Sequence, residues 1–206
     1  MRKVFKAAVF LLTVASALAG TALLLTWRRG LSARTAPGRT ETQAARAVRE
    51  WFLPARYRRL RNPVACSDET LAQARAHWAD HCAGCHANNG SGDSALGRTM
   101  YPRPPDMRQA ATQTQSDGAL YYTIDNGVPL TGMPAFGEAG DGDRDTWKLV
   151  CFVRHLPRLS AEEEWSMRKL NPRTPDELAE ELEEERFLNG GTPEPAPARS
   201  QPHVHK

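Results

Sequence analysis

His81-Cys82-Ala83-Gly84-Cys85-His86 sets two thiols three positions apart and places an imidazole directly after the second. Covalent attachment of a c-type haem needs this arrangement. Both thiols add to the vinyl groups of one porphyrin, and the adjoining histidine reaches the iron. Cys82 and Cys85 are therefore read as thioether anchors of a single haem c, and His86 as the proximal ligand. A Cys-x-x-Cys pair also serves as half of a zinc site or as a redox dithiol. Zinc would want a second pair of similar spacing, but the remaining cysteines, Cys66 and Cys151, are far apart in the chain. A dithiol would want a strand and a βαβ pattern before the motif, where helical sequence stands instead.

A haem iron held by one histidine has a sixth position, and its occupant separates electron carriage from ligand chemistry. Met133, within Leu130-Thr131-Gly132-Met133-Pro134-Ala135-Phe136-Gly137, is read as that occupant. Gly132 lets the backbone approach the porphyrin face, and Pro134 fixes the chain after the sulfur. A thioether opposite histidine raises the reduction potential. The competing use of a lone methionine is as core filler, for which a Gly- and Pro-bounded loop is a poor place.

These residues carry a family resemblance. Cys82 to His86, the glycine-rich Asn88 to Asp93, Tyr101-Pro102-Arg103-Pro104-Pro105-Asp106-Met107, Gly132-Met133-Pro134 and Trp147 to Leu156 resemble class I cytochrome c. The closest likeness is to bacterial monohaem domains that serve respiratory complexes and dehydrogenases, and it covers about residues 66 to 157. The resemblance implies a small all-α fold whose first and last helices cross, His/Met ligation and electron transfer. Relatives often carry Gly at the crossing, where Ala74 and Ala76 stand here. In them a loop carbonyl, here Pro104 or its neighbour, holds the proximal histidine. Arg98, Tyr101 and Arg103 are candidates for a haem propionate, against the plainer reading of surface side chains.

Residues Ala7 to Trp27 form an apolar run long enough to span a bilayer as a helix, with Arg2, Lys3 and Lys6 before it. A cleaved signal peptide would end near Ala17-Leu18-Ala19, but the run continues through Leu23-Leu24-Leu25, which favours an uncleaved anchor. The resemblance then places the chain as a single-pass protein of the inner membrane with the cytochrome domain in the periplasm. Residues 28 to 61 are rich in arginine, interrupted by Val48, Trp51, Phe52 and Leu53. They read either as a solvated tether or as a segment lying on anionic headgroups. Nucleic acid is excluded as a partner for a chain sent out of the cytoplasm.

A helix capped by Ser67 or Asp68 is expected to run to about Cys82, carrying His77 and His81. Ala87 to Arg98 reads as loop. A second helix over Asp117 to Asn126 is expected to wall the haem pocket with its aromatic residues, and a third over Asp143 to Leu156 to bury Trp147, Val150, Phe152, Val153 and Leu156. Cys66 and Cys151 are left as either a disulfide or two thiols. Ser160 to Leu170 and Thr174 to Leu188 read as two further helices, the second strongly acidic. The expected organisation is an anchor over 1–29, a tether over 30–65, the cytochrome domain over 66–157, an acidic helical extension over 158–190 and a disordered tail over 191–206. His203 and His205 in that tail make a weak metal site.

The resulting expectation is an electron carrier and not an enzyme by itself, with a redox donor and acceptor as partners and a respiratory or dehydrogenase complex as its setting. Two rivals stand beside it: a ligand-binding or peroxidase-like haem protein with an open sixth position, and an assembly subunit of a larger complex.

Overall fold

The computed structural model describes residues 2–30, 32–137, 143–173 and 175–190, so Thr174, His203, His205 and the tail expected over 191–206 lie outside it. Among the described residues every regular element is helical. In chain order these are α1 (Arg2–Arg29), α2 (Arg39–Phe52), α3 (Ala55–Arg58), α4 (Asp68–His77), α5 (Ala83–His86), α6 (Ala110–Gln113), α7 (Asp117–Asn126), α8 (Arg144–His155), α9 (Ala161–Met167) and α10 (Pro175–Leu188).

Arg2–Arg28 is a candidate membrane span by length and composition. Its 27 residues reach about 40 Å, against the roughly 30 Å of a hydrocarbon core. Its threonines suit an apolar surrounding. Thr13, Thr21 and Thr26 donate their hydroxyls back to the carbonyls of Val9, Ala17 and Ala22 at 2.7, 2.8 and 2.9 Å, so each of these three hydroxyls has an acceptor within the helix.

Ser67 starts α4 by accepting from the Thr70 N–H at 3.2 Å, and Asp68 and Glu69 favour the positive end of the helix. A π-helical turn, Trp78–Cys82, then joins α4 to α5. Asp143 caps α8 through the N–H groups of Asp145 and Thr146 at 2.8 and 3.3 Å. The packing of α4 on α8 is the most extensive between any two helices. Ala74 is buried in the core there while Ala76 is exposed, so a methyl group is tolerated where relatives often have none. Trp78 meets Phe152 with ring centroids 5.5 Å apart, and Trp147, Val150, Val153 and Leu156 are buried as expected. Cys66 and Cys151 form a disulfide that ties the approach to α4 onto α8.

Packing continues on both sides of residues 66–157. The arginine-rich segment is helical over α2 and α3, and Pro54 separates the two. Tyr57 is 3% exposed and lies against Tyr121 and Tyr122 at 6.2 and 4.8 Å between centroids. Its backbone passes so close to α7 that a Cβ on Gly118 would fall 2.9 Å from the Tyr57 carbonyl carbon. Beyond α8, Ser160 and Glu163 form a reciprocal cap on α9, and the Glu163 carboxylate also meets Arg75 and His155 at 3.2 and 3.1 Å. Met167 is fully buried, so α9 docks on the domain, whereas the described side chains of α10 are exposed.

Candidate haem site

Three predicted groups arrive within one turn, since Cys82 closes the π-helical turn and Cys85 and His86 end α5. The carbonyls at this helix end are all satisfied locally. The Ser94 hydroxyl donates to those of Gly84 and Cys85 at 2.7 and 3.0 Å, and the Gly92 N–H to that of His86 at 2.8 Å. Ala87 then leaves the helix at φ 61°, ψ 160°, a region that costs a non-glycine residue energy. The Trp78 indole donates to its carbonyl at 3.1 Å and holds it there.

Cys82 and Cys85 are free thiols. Burial, then the neighbouring Cys85, pushes the Cys82 thiol up to about 12, and burial pushes the His86 imidazole down to about 4. His86 therefore stays neutral with a lone pair to offer. Its Nδ1 is buried and has no hydrogen-bond partner, so the bond expected to the carbonyl of Pro104 or its neighbour is not formed. The Pro104 carbonyl is turned onto Gly92. Gly92 sits at φ 73°, and a Cβ on it would lie 3.0 Å from the Pro104 carbonyl carbon.

Met133 is carried by a loop stapled to the end of α7. Phe136 and Gly137 donate their N–H groups to Ile124 and Asp125 at 3.1 and 3.0 Å, and the Val128 N–H donates to the Met133 carbonyl at 3.1 Å. The Thr131 hydroxyl accepts from the Met133 N–H at 3.1 Å. Gly132 leaves room for a side chain from elsewhere in the chain. The methyl end of Met100 fills the place a Cβ would take, with its sulfur 3.8 Å from that position.

One cleft of about 1160 Å³, counting its open mouth, is lined by Cys82, Cys85, His86 and Met133 together. Met100, Met107, Leu120, Ile124, Leu149 and Val153 make much of the remaining wall. Expected wall residues Tyr121 and Tyr122 are absent from it. Tyr121 stacks on Trp147 at 4.2 Å and Tyr122 meets Tyr57 in a tilted contact at 4.8 Å, because α7 turns Leu120, Thr123 and Ile124 to the cleft. Of the three propionate candidates only Arg103 lines the space. Arg98 pairs with Asp93 at 2.9 Å, and the Tyr101 hydroxyl donates to Glu41. His81 reaches the rim beside Asp80, and His77 does not line the cleft.

An apolar slot with two free thiols, a neutral imidazole whose Nδ1 is unpaired, and thioethers fits a porphyrin held through Cys82, Cys85 and His86. A zinc reading finds no support in side-chain grouping. Among the described residues no cluster of three or more His, Cys, Asp or Glu side chains is disposed to hold a metal ion, and Cys66 is committed to Cys151.

Residues 69–153 match the family model of cytochrome C oxidase, cbb3-type, subunit III. This segment is a c-type cytochrome domain. A search of curated proteins finds no match to the chain. The match begins in the first turn of α4 and ends in α8, so the cytochrome domain is recognised by the two helices that carry its main packing and by everything between them. Domains of this kind bind haem and carry electrons. Helices α1, α2, α3, α9 and α10 lie outside the matched segment, including the docked Tyr57 and Met167.

Proposed function

We propose that the chain is a membrane-tethered electron carrier with one haem c, attached through Cys82 and Cys85 and ligated by His86 and Met133. The observation that carries this reading is the convergence of both thiols, the imidazole and the Met133 thioether on a single apolar cleft. When bound, the haem iron supplies a one-electron couple. The protein's part is to hold that couple. Buried hydrocarbon from α7 and α8 excludes water and disfavours the more highly charged oxidised state, and a thioether ligand acts in the same direction.

On this reading α1 anchors the domain to the outer face of the inner membrane, in the periplasm. The Cys66–Cys151 disulfide supports that side, since an oxidising compartment suits both it and covalent haem attachment. The likeness to an oxidase subunit supports a place in a respiratory complex, passing electrons between a donor and an acceptor protein.

The test is spectroscopic. Denatured full-length protein should retain covalently bound pigment, and the oxidised protein should show a methionine–iron charge-transfer band. Met133→Ala should abolish the band, whereas Met100→Ala should keep it. Pigment lost on denaturation sinks the attachment. A band that survives Met133→Ala and disappears in Met100→Ala moves the ligand to Met100. Rapid, tight cyanide or carbon monoxide binding by the unmodified protein would instead show an open sixth position.

A further inference from the structure

The charged lining of the cleft is one-sided. Its ionisable cations are Arg49 and Arg103, His81 stands at the rim, and no Asp or Glu lines it. A porphyrin of the haem type carries two propionate carboxylates, so the slot offers cations where the cofactor has anions. Arg103 belongs to the matched cytochrome segment. Arg49 does not, since α2 precedes that segment by some way in the chain.

Several contacts bring α2 to the cleft. The Tyr101 hydroxyl donates to Glu41 near its start. At its other end the Arg58 guanidinium donates to the carbonyls of Glu50, Trp51 and Leu53 at 2.6, 3.2 and 3.2 Å. Leu53 packs against the core. Between these points Arg49 reaches the cleft beside Gln115 and Thr123, and no ion pair engages its side chain among the described residues. Arg49 is exposed over much of its surface, and desolvation, followed by the proximity of Arg46, lowers its pKa against the opposing pull of the neighbouring Glu50 carboxylate.

We propose that Arg49 binds a haem propionate, so that the helix following the membrane anchor supplies part of the cofactor site. The inference rests on the haem reading above. A guanidinium suits the role because its planar fork matches a carboxylate bidentately. A fixed cation at this edge favours the reduced iron, which carries one less positive charge. The tether is thereby linked to the redox centre: whatever displaces α2 removes a charge from beside the haem.

The experiment is potentiometric titration of the full-length protein, solubilised from membranes, for Arg49→Met, Arg49→Lys and Arg46→Met. Arg49→Met keeps the apolar stem and loses the charge. It should lower the equilibrium constant for reduction about tenfold, a fall of ~59 mV for one electron. Arg49→Lys should stay within about threefold of the unmodified protein. Arg46→Met, the same charge change on the same helix but away from the cleft, should leave the midpoint within about twofold.

Equal midpoints for Arg49→Met and Arg49→Lys overturn the proposal, as does an Arg46→Met shift as large as that of Arg49→Met. Covalent haem content is measured in each sample. Its absence from the unmodified chain sinks the electron-carrier reading itself and the proposal with it, whereas full haem content with unmoved midpoints sinks only the role of Arg49.

Discussion

The indole Nε1 of Trp78 donates to the carbonyl of Ala87 at 3.1 Å and so clamps the strained residue that directly follows His86. The bond spans the end of the helical segment that delivers the cysteines and histidine, and Trp78 itself is 2% exposed with its ring 5.7 Å from that of His86. Trp78→Phe removes one of two donors to that carbonyl, leaving the Gly90 N–H at 3.1 Å, and opens a void in the core. A loss of about 2–3 kcal/mol in denaturant unfolding is expected, with a lower yield of covalent haem. Ala87→Gly should act oppositely, gaining about 1 kcal/mol in the same measurement because glycine adopts positive φ without strain.

Gly118 reports whether the arginine-rich segment is docked. In an undocked helix, Gly→Ala would stabilise by about 1 kcal/mol. Here the new methyl would lie 2.9 Å from both the Tyr57 carbonyl carbon and the Leu60 Cβ. Gly118→Ala should therefore destabilise by about 1–3 kcal/mol and speed proteolytic nicking among the arginines of residues 56–61. A neutral or stabilising result would show α3 free of α7.

The Cys66–Cys151 bond closes a loop of sequence separation 85. Cys66→Ser should cost about 2–5 kcal/mol of stability, and added reductant should bring the unmodified protein to the same denaturation midpoint. Coincident midpoints with and without reductant would argue against the bond in the mature protein.

Asp106 accepts from the Arg108 Nε and Nη2 at 2.8 and 2.9 Å, and the Arg108 side chain is the largest cause holding its carboxyl at about 2. The folded pKa lies below the unfolded value near 4, so the contribution is complete above about pH 4 and fades as pH falls toward about 2. The pair is largely solvated, which limits the contribution to less than about 1 kcal/mol. Thermal melts of Asp106→Asn should show a small deficit at pH 7 that shrinks between pH 4 and pH 2.

The haem motif, the helices α4, α7 and α8 and the candidate anchor were legible in the sequence because each rests on neighbouring residues, whereas the segment read as a tether folds into α2 and α3. Vinyl addition needs two thiols at a fixed short spacing, caps act within one turn, and a bilayer span is a property of one uninterrupted run. The expected burial of Trp147, Phe152 and Val153 follows from the same local periodicity. Tertiary packing decided the rest. It joined Cys66 to Cys151, turned Tyr121 from the cleft onto Trp147, set Met100 against Gly132, and brought Arg49 from the tether to the cavity wall. These relations link residues distant along the chain. Whether they meet depends on the angle and register at which helices pack, and side-chain spacing within any one helix does not encode that.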